Sequence, residues 1–342
     1  MDEESAVLSH QIEAVRNLAP HFKSVVVLTG KVGKISNLPP NVQVLNTNWV
    51  PNQNVRNVIK FYALFLQSYD LLNRPIIFSH MTALQSALIA PLTKILRVRH
   101  FLWYAHKKNN AFLKFCTLLI TGFITSTKGS FPAKTRNLFV IGQAIDQDQF
   151  KARDFPISEL SKFVHIGRMD PVKNIPEIIE VLSKIHTKNK LITFTQIGSP
   201  TSSTLSFKSL FPLIQFHQIE ELTWLNFQNN LKRSEIPNCL LKYDIFIHSF
   251  RGSLDKSLVE ATFTRMPVVT INPEYLSIFG SWSKKSTSEV TLETEVLALL
   301  SLTHDQISKE CERRALIALA NHSLKNWTIS LVEILKANQE LM

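Results

Sequence analysis

Two stretches of the sequence gather groups that could hold a phosphorylated ligand. The first is Phe163-Val164-His165-Ile166-Gly167-Arg168-Met169-Asp170-Pro171-Val172-Lys173-Asn174. An apolar run ends at Gly167, a basic loop follows, and a helix is expected from about Asn174–Pro176, because Asn is a good N-cap and Pro suits a first helical turn. Gly167, Arg168 and Lys173 then stand at the carboxyl end of a strand, where open α/β sheets take ligands. An Arg fork and a Lys point charge converging there suit a diphosphate; two solvated basic residues are the plainer alternative. The second stretch runs from Tyr243-Asp244-Ile245-Phe246-Ile247-His248 through Ser249-Phe250-Arg251-Gly252-Ser253-Leu254-Asp255-Lys256 to Ser257-Leu258-Val259-Glu260-Ala261. A buried strand enters a Gly/Ser turn and then a helix, so backbone N–H groups around Gly252, Ser253, Leu254, Asp255 and Lys256 become donors for phosphate or sugar oxygens. Glu260, about one turn into that helix, could accept hydrogen bonds from vicinal hydroxyls such as those of ribose. An exposed helical Glu is the alternative.

The elements that must position these groups follow a regular alternation. Strands are expected at Ser24–Thr29, Val42–Asn46, Pro75–Ser79, His100–Ala105, Gly122–Ser126 and Leu138–Ile141, with helices at Val7–Leu18, Val55–Leu72 and Thr82–Leu96. Most of the strands are continuous apolar runs, as expected of a parallel sheet covered on both faces. A polar segment from Ala144 to Ser161 reads as a linker. A second series then begins: Lys162–Ile166, Leu191–Ile197, Leu213–Gln218, Tyr243–His248 and Pro267–Ile271, with helices at Ile175–Ile185, Leu258–Phe263 and along the C-terminal stretch. The expected architecture is two successive Rossmann-like α/β domains, residues 1–150 and 151–323. The first begins unusually: Asp2–Ser5 lead straight into a helix, so the customary opening strand is missing or replaced.

Composition narrows the classes. The chain has 342 residues, 45% hydrophobic and 19% charged, enough for two ordinary globular domains. Cys116, Cys239 and Cys311 lie far apart, with no CxxC or Cys/His cluster, which disfavours a disulfide framework or zinc site and fits a reducing compartment. No apolar leader opens the chain, and no run reaches membrane-span length; the most apolar, Phe112–Thr125, carries Lys114. The net charge of +11 fits a phosphorylated substrate or an anionic membrane surface. Nucleic acid is disfavoured, because the Lys and Arg residues are scattered with no dense basic block.

Together, GRMDPVKN and GSLDKSLVEA followed by Pro267-Val268-Val269 resemble the retaining GT-B glycosyltransferases of the GT4-like group (bacterial glycosyltransferase group 1 type). The likeness is greatest to a subset reading G-S-x-D-K-x-x-x-E-A. Phe101-Leu102-Trp103-Tyr104-Ala105-His106-Lys107 is similar to the group's strand-then-His segment, and Val140-Ile141-Gly142-Gln143-Ala144-Ile145-Asp146 to its interdomain turn. The resemblance covers most of the chain beyond about Leu8. It implies two Rossmann-like domains facing across a cleft, with a C-terminal helix, 324–342, packing back on the first. It also implies that Arg168 and Lys173 stabilise a leaving nucleoside diphosphate, that Glu260 binds the donor ribose, and that Gly167 and Gly252–Lys256 line the donor site. His106 would contact the transferred sugar.

The activity implied is hexosyltransferase-like: transfer of a sugar from a nucleotide-diphosphate donor to a glycan or lipid-linked acceptor, with retention. No metal or cofactor is required beyond the nucleotide sugar as co-substrate, and the place of action is the cytoplasm or the inner face of the cytoplasmic membrane. The segment 222–230 is expected to form the base pocket. Many relatives carry a second Glu where this chain has Gly252, and bulkier residues, Thr262–Met266, follow the Glu-Ala pair. These departures keep open a second reading: a truncated or degenerate GT-B protein that binds nucleotide sugar without transfer.

Overall fold

The computed structural model describes residues 1–3, 10–72, 75–153, 159–200 and 223–337. The chain divides into two compact units, Met1–Ala144 with Leu324–Met342, and Ile145–Ser323.

In the first unit, β1 (Val25–Thr29) pairs in parallel with β2 (Val42–Asn46), apart from a four-stranded parallel sheet of β3 (Ile77–His80), β4 (His100–Trp103), β5 (Gly122–Thr125) and β6 (Leu138–Val140). The central strands β4 and β5 are buried throughout, whereas β1 and β3 are only half-buried. A doubly wound sheet runs 3-2-1-4-5-6. The pieces β2-β1 and β3-β4-β5-β6 follow that order without the strand numbered 1 and with one further strand, β6, at the far edge. Among the described residues no strand precedes α1 (His10–Leu18), and none joins β1 to β3. The two pieces nevertheless share apolar neighbours: Leu28 of β1 and Ile77 of β3 both pack against Phe61 and Phe65 of α2 (Asn54–Leu72) and Ile89 of α3 (Ala83–Ile95).

The apolar run from Phe112 resolves into a helix and a strand. Asn110 accepts a hydrogen bond from Leu113 N at 2.9 Å and opens α4 (Ala111–Leu119). That helix buries Leu113 and Cys116 but leaves Phe112, Phe115 and Leu118 exposed, so it is a surface helix with one face in the core. Among the described residues no helix is long and apolar enough to cross a membrane. The three cysteines are buried and unbridged.

The second unit is built on β7 (Lys162–Ile166), α5 (Ile175–Lys188), β8 (Thr193–Ile197), β9 (Leu225–Gln228), the short α6 (Ile236–Leu240), β10 (Ile245–His248), α7 (Lys256–Phe263), β11 (Val268–Thr270), α8 (Pro273–Phe279), α9 (Leu292–Leu300) and α10 (His304–His322). Its five strands are all parallel in the order β11-β10-β7-β8-β9. Alternate side chains of one strand point to opposite faces. Phe163, Phe194, Ile245 and Ile247 meet α5 and α9 on one side, while Val164, Ile166, Phe246 and Val268 meet α7 and α8 on the other. Both faces are covered, which is why β7, β8, β10 and β11 are buried along almost their whole length. The expected strand 213–218 lies outside the described residues. The segment 222–230, expected to form the base pocket, holds the edge strand β9, and Trp224 before it is a core residue stacked on His186 at 5.2 Å.

The chain enters and leaves the second unit at neighbouring points: Ile145 N donates to His322 O at 3.0 Å, and Ile145 and Ser323 form a parallel bridge. It then returns to the first unit as α11 (Leu324–Lys336), whose Trp327, Leu331 and Leu335 pack with Phe101 and Trp103 of β4. Trp327 is 1% exposed and meets Trp103 edge-on, ring centroids 5.6 Å apart. Trp327→Ala is expected to destabilise the first unit by about 3–5 kcal/mol, the range for emptying a large aromatic site. Urea denaturation followed on probes specific to each unit checks this; loss of stability confined to the second unit contradicts it.

Candidate functional site

In the second sheet the chain moves outward to β8 and β9 on one side of β7, then to β10 and β11 on the other. The order therefore reverses between β7 and β10, and the carboxyl ends of those two strands are where sheets of this kind take ligands. Both chemistry-bearing stretches of the sequence leave the sheet at this place.

The height of the first loop is set by main-chain contact. Gly198, at the end of β8, has φ +134, and a Cβ there would lie 2.0 Å from Gly167 O, so only glycine lets the two backbones approach. Gln196 fastens the same point: its Nε2 donates to Gly167 O at 2.9 Å, and its Oε1 lies 2.8 Å from His165 Nδ1. His165 sits wholly buried beneath Gly167, and burial, reinforced by the neighbouring His248 and Lys173, drives its pKa down to about 3. The imidazole is neutral. Beyond Gly167, Arg168 is 57% exposed, with Nη2 3.4 Å from Asp170 Oδ2. Pro171–Lys173 form a single 3-10 turn, and Asn174 starts α5 from a left-handed conformation (φ 49, ψ 45). This corrects the expected cap: Asn174 makes no side-chain capping bond, and its Nδ2 donates to Glu177 Oε2 at 2.6 Å. With φ positive, its side chain is turned away from the amides it would otherwise cap.

Lys173 does not project into solvent. Its ammonium forms an ion pair with the Asp255 carboxylate and lies 4.3 Å from the centre of the Phe250 ring, leaving the side chain 11% exposed. His248 Nε2 lies 3.2 Å from the same carboxylate oxygen. Burial opposes ionisation of Asp255, but the Lys173 charge and the His248 hydrogen bond outweigh it and hold the carboxyl well below the usual range. Asp255 occupies the N-cap position of α7 yet makes no capping bond. The Ser249 hydroxyl lies 2.7 Å from Lys173 O and 2.8 Å from Asn174 O, securing the basic loop to the end of β10. Asn272 secures the other loop, donating to Phe250 O at 2.9 Å and Ser253 O at 3.1 Å.

Gly252 has a local reason of its own. A Cβ at this position would fall 1.8 Å from the Phe250 ring, so any side chain there displaces the ring that lies against Lys173. Ser253 and Leu254 are buried, and Lys256, first residue of α7, is half-buried. Burial, with Arg233 nearby, pushes the Lys256 pKa down to about 7, against the pull of Glu260. Glu260 is 2% exposed and forms an ion pair with Arg233, whose guanidinium carbon stands 5.7 Å from the Phe150 ring centre. The structure therefore places Gly167, Arg168, Lys173 and Gly252–Lys256 at the carboxyl ends of β7 and β10, and Glu260 on the helix α7 that follows.

His106 belongs to the first unit. It is exposed after β4, accepts from Lys108 N through Nδ1 at 2.9 Å, and lines a cavity of about 340 Å³ with Met81, Tyr104, Asn110 and Phe112. Gln196, Gly198, His248, Asn272 and Arg233 were not singled out from the sequence. Only His248 lies within a stretch that was.

Asp255→Asn leaves the Lys173 ammonium without its carboxylate, and is expected to cost on the order of 3 kcal/mol near neutral pH. Because the folded state favours ionised Asp255, the wild-type advantage is complete above the ordinary aspartate range and disappears as pH falls through the depressed folded value. Urea denaturation of both proteins across acid pH checks this; no gap at neutral pH, or a gap constant with pH, contradicts it.

No protein-family model matches the chain, and no curated protein matches its sequence. Solved structures do match its backbone. Anabaena HepE, determined in complex with UDP-glucose, superposes with a TM-score of 0.73 at 14% identity, over 98% of each chain. Sucrose-phosphate synthase from Thermosynechococcus elongatus gives 0.77 at 11% identity over 97% of this chain and 93% of its own. A glycosyltransferase from Rickettsia africae gives 0.72 at 13% identity over 98% and 96%. At such identities the likeness is one of fold: two Rossmann-like units of the GT-B type.

Proposed function

We propose that this protein is a glycosyltransferase that takes its sugar from a nucleoside-diphosphate donor bound in the second unit. The observation that carries the reading is the convergence of the Gly167–Asn174 loop and the Gly252–Lys256 turn at the switch point between β7 and β10. A GT-B fold shared with HepE, which was solved with UDP and UDP-glucose, supports it. In this reading Arg168 and Lys173 stabilise charge developing on the departing diphosphate, and the α7 amides contribute further donors. His106 contacts the transferred sugar. Transfer proceeds with retention, in the GT4 manner and with no metal required, to a glycan or lipid-linked acceptor. The net charge of +11 and the exposed Phe112, Phe115 and Leu118 of α4 support action against an anionic membrane surface on its cytoplasmic side.

The second reading, donor binding without transfer, draws on Gly252. The position that carries a second Glu in many relatives has no side chain here, and Phe250 fills its space.

UDP, GDP, ADP and their common sugar conjugates are to be screened by thermal shift. One nucleotide series is expected to stabilise the protein by about 2.7 kcal/mol at a hundredfold excess over Kd, several degrees in Tm. Arg168→Ala, at an exposed position, is expected to remove most of that shift while leaving the unliganded Tm unchanged. No shift by any of them in folded protein defeats the donor reading. Release of free sugar from the stabilising conjugate favours transfer; tight binding with no release favours the second reading.

A further inference from the structure

The cavity beside His106 carries an inference that rests on the transferase reading and names the class of its acceptor. It lies past the carboxyl ends of β3 and β4, where parallel sheets take ligands. Met81 leaves β3 in a left-handed conformation (φ 58) and leads into α3. Thr82 makes no side-chain capping bond there, and the first-turn residues Ala83, Leu84 and Gln85 all line the cavity. The loop after β4 is closed by two bonds: Lys108 N donates to His106 Nδ1 at 2.9 Å, and the Tyr104 hydroxyl donates to Lys108 O at 2.7 Å. They hold Lys108 at the cavity, where it makes no ion pair among the described residues.

The charge around this cavity is one-sided. The first unit has 18 Lys and Arg against 7 Asp and Glu, and the second has 20 against 20, so the whole excess of +11 sits in the first. Residues 71–145, which supply every side chain lining the cavity, include 10 Lys and Arg and no Asp or Glu. Carboxylates are the acceptor-only side chains, suited to sugar hydroxyls. A lining without them, with an ammonium and the start of a helix, suits a bound anion better than a neutral sugar.

Size adds a second requirement. A volume of about 340 Å³ holds a head group but not a whole lipid. Phe112 lines the cavity and begins an exposed apolar row on α4, continued by Phe115 and Leu118 at the spacing that sets residues side by side on a helix surface. The row starts at the cavity and leads away from it, so a chain attached to a bound head group meets apolar surface at once.

We propose that the acceptor is an amphiphile with an anionic head group: the head occupies this cavity at Lys108 and the start of α3, and the apolar chain lies along Phe112, Phe115 and Leu118.

The test is titration calorimetry of the full chain with octyl phosphate, with octyl glucoside as an uncharged amphiphile, and with glycerol 3-phosphate as an anion lacking the chain, all below micelle formation. Octyl phosphate is expected to bind about tenfold tighter than either of the others. Lys108→Gln is expected to weaken octyl phosphate about tenfold, and Lys108→Arg to restore it. Lys94→Gln removes the same charge from the far end of α3 and is expected to change nothing. Phe115→Ser with Leu118→Ser is expected to weaken octyl phosphate about tenfold and leave glycerol 3-phosphate unchanged. All of these positions are exposed, so the variants keep the fold. Glycerol 3-phosphate binding as tightly as octyl phosphate strikes the amphiphile and makes free phosphate the ligand. Octyl glucoside binding as tightly, or Lys108→Gln behaving like Lys94→Gln, overturns the anionic head. No nucleotide enters these titrations, so the two readings fail separately. Octyl phosphate bound by a protein that takes no nucleotide removes the donor reading and the name of acceptor with it; nucleotide bound without octyl phosphate overturns this inference alone.

Discussion

The Asp255 carboxylate is the fixed point on which the second unit's candidate site depends. Two loops leave adjacent parallel strands, β7 and β10, and nothing in the sheet compels them to stay together. Lys173 from the first loop and His248 from the end of β10 both reach the same oxygen of Asp255. His248 and His165 are neutral because burial drives their pKa values down, so the cluster holds one cation and one anion. A net-neutral, hydrogen-bonded cluster can be buried at little cost, whereas either charge alone could not. The other contacts follow from this junction. Ser249 adds two contacts to carbonyls of the same basic loop, and Phe250 lies against the ammonium in the room that Gly252 leaves.

Lys173 is consequently a different residue from the one its position suggests. A lysine in a loop at the end of a strand would ordinarily be a mobile charge awaiting an anion. Here its position and charge are committed before any ligand arrives, and Arg168 is the more accessible cation of the pair. In the proposed transfer, charge held this rigidly would leave little to reorganise as the departing group develops its negative charge.

Much of this was legible in the sequence. Buried parallel strands announce themselves as apolar runs, and the turn from β10 into α7 is marked by Gly252-Ser253 followed by helical residues. What the sequence could not show are partners set by tertiary geometry. Gln196 and Gly198 lie about thirty residues from Gly167 and come beside it only because β8 pairs with β7. Arg233 and Asn272 arrive from a 3-10 turn and a strand end with no local signature of their role. The strand β9 was hidden for another reason: at the sheet edge its residues alternate between half-buried and exposed, with Asn226 and Gln228 outward, so no apolar run marks it. Around Phe112 the strand at Gly122 was expected, but the helix before it was read only as part of one apolar stretch, although Asn110 marks its start.

The second unit is spliced into the first: the chain enters it at Ile145, leaves at Ser323, and these two residues lie side by side. On the ribosome, this fixes an order of events. The first unit's strands emerge early, but the helix bearing Trp327, Leu331 and Leu335 emerges only after the whole second unit has been made. Until then Phe101 and Trp103 lack their covering layer, and the nascent first unit must wait with apolar surface uncovered while the second folds ahead of it. The first unit is thus the last to be completed, and a chain cut after Ser323 keeps every residue of the second unit while leaving Phe101 and Trp103 without α11.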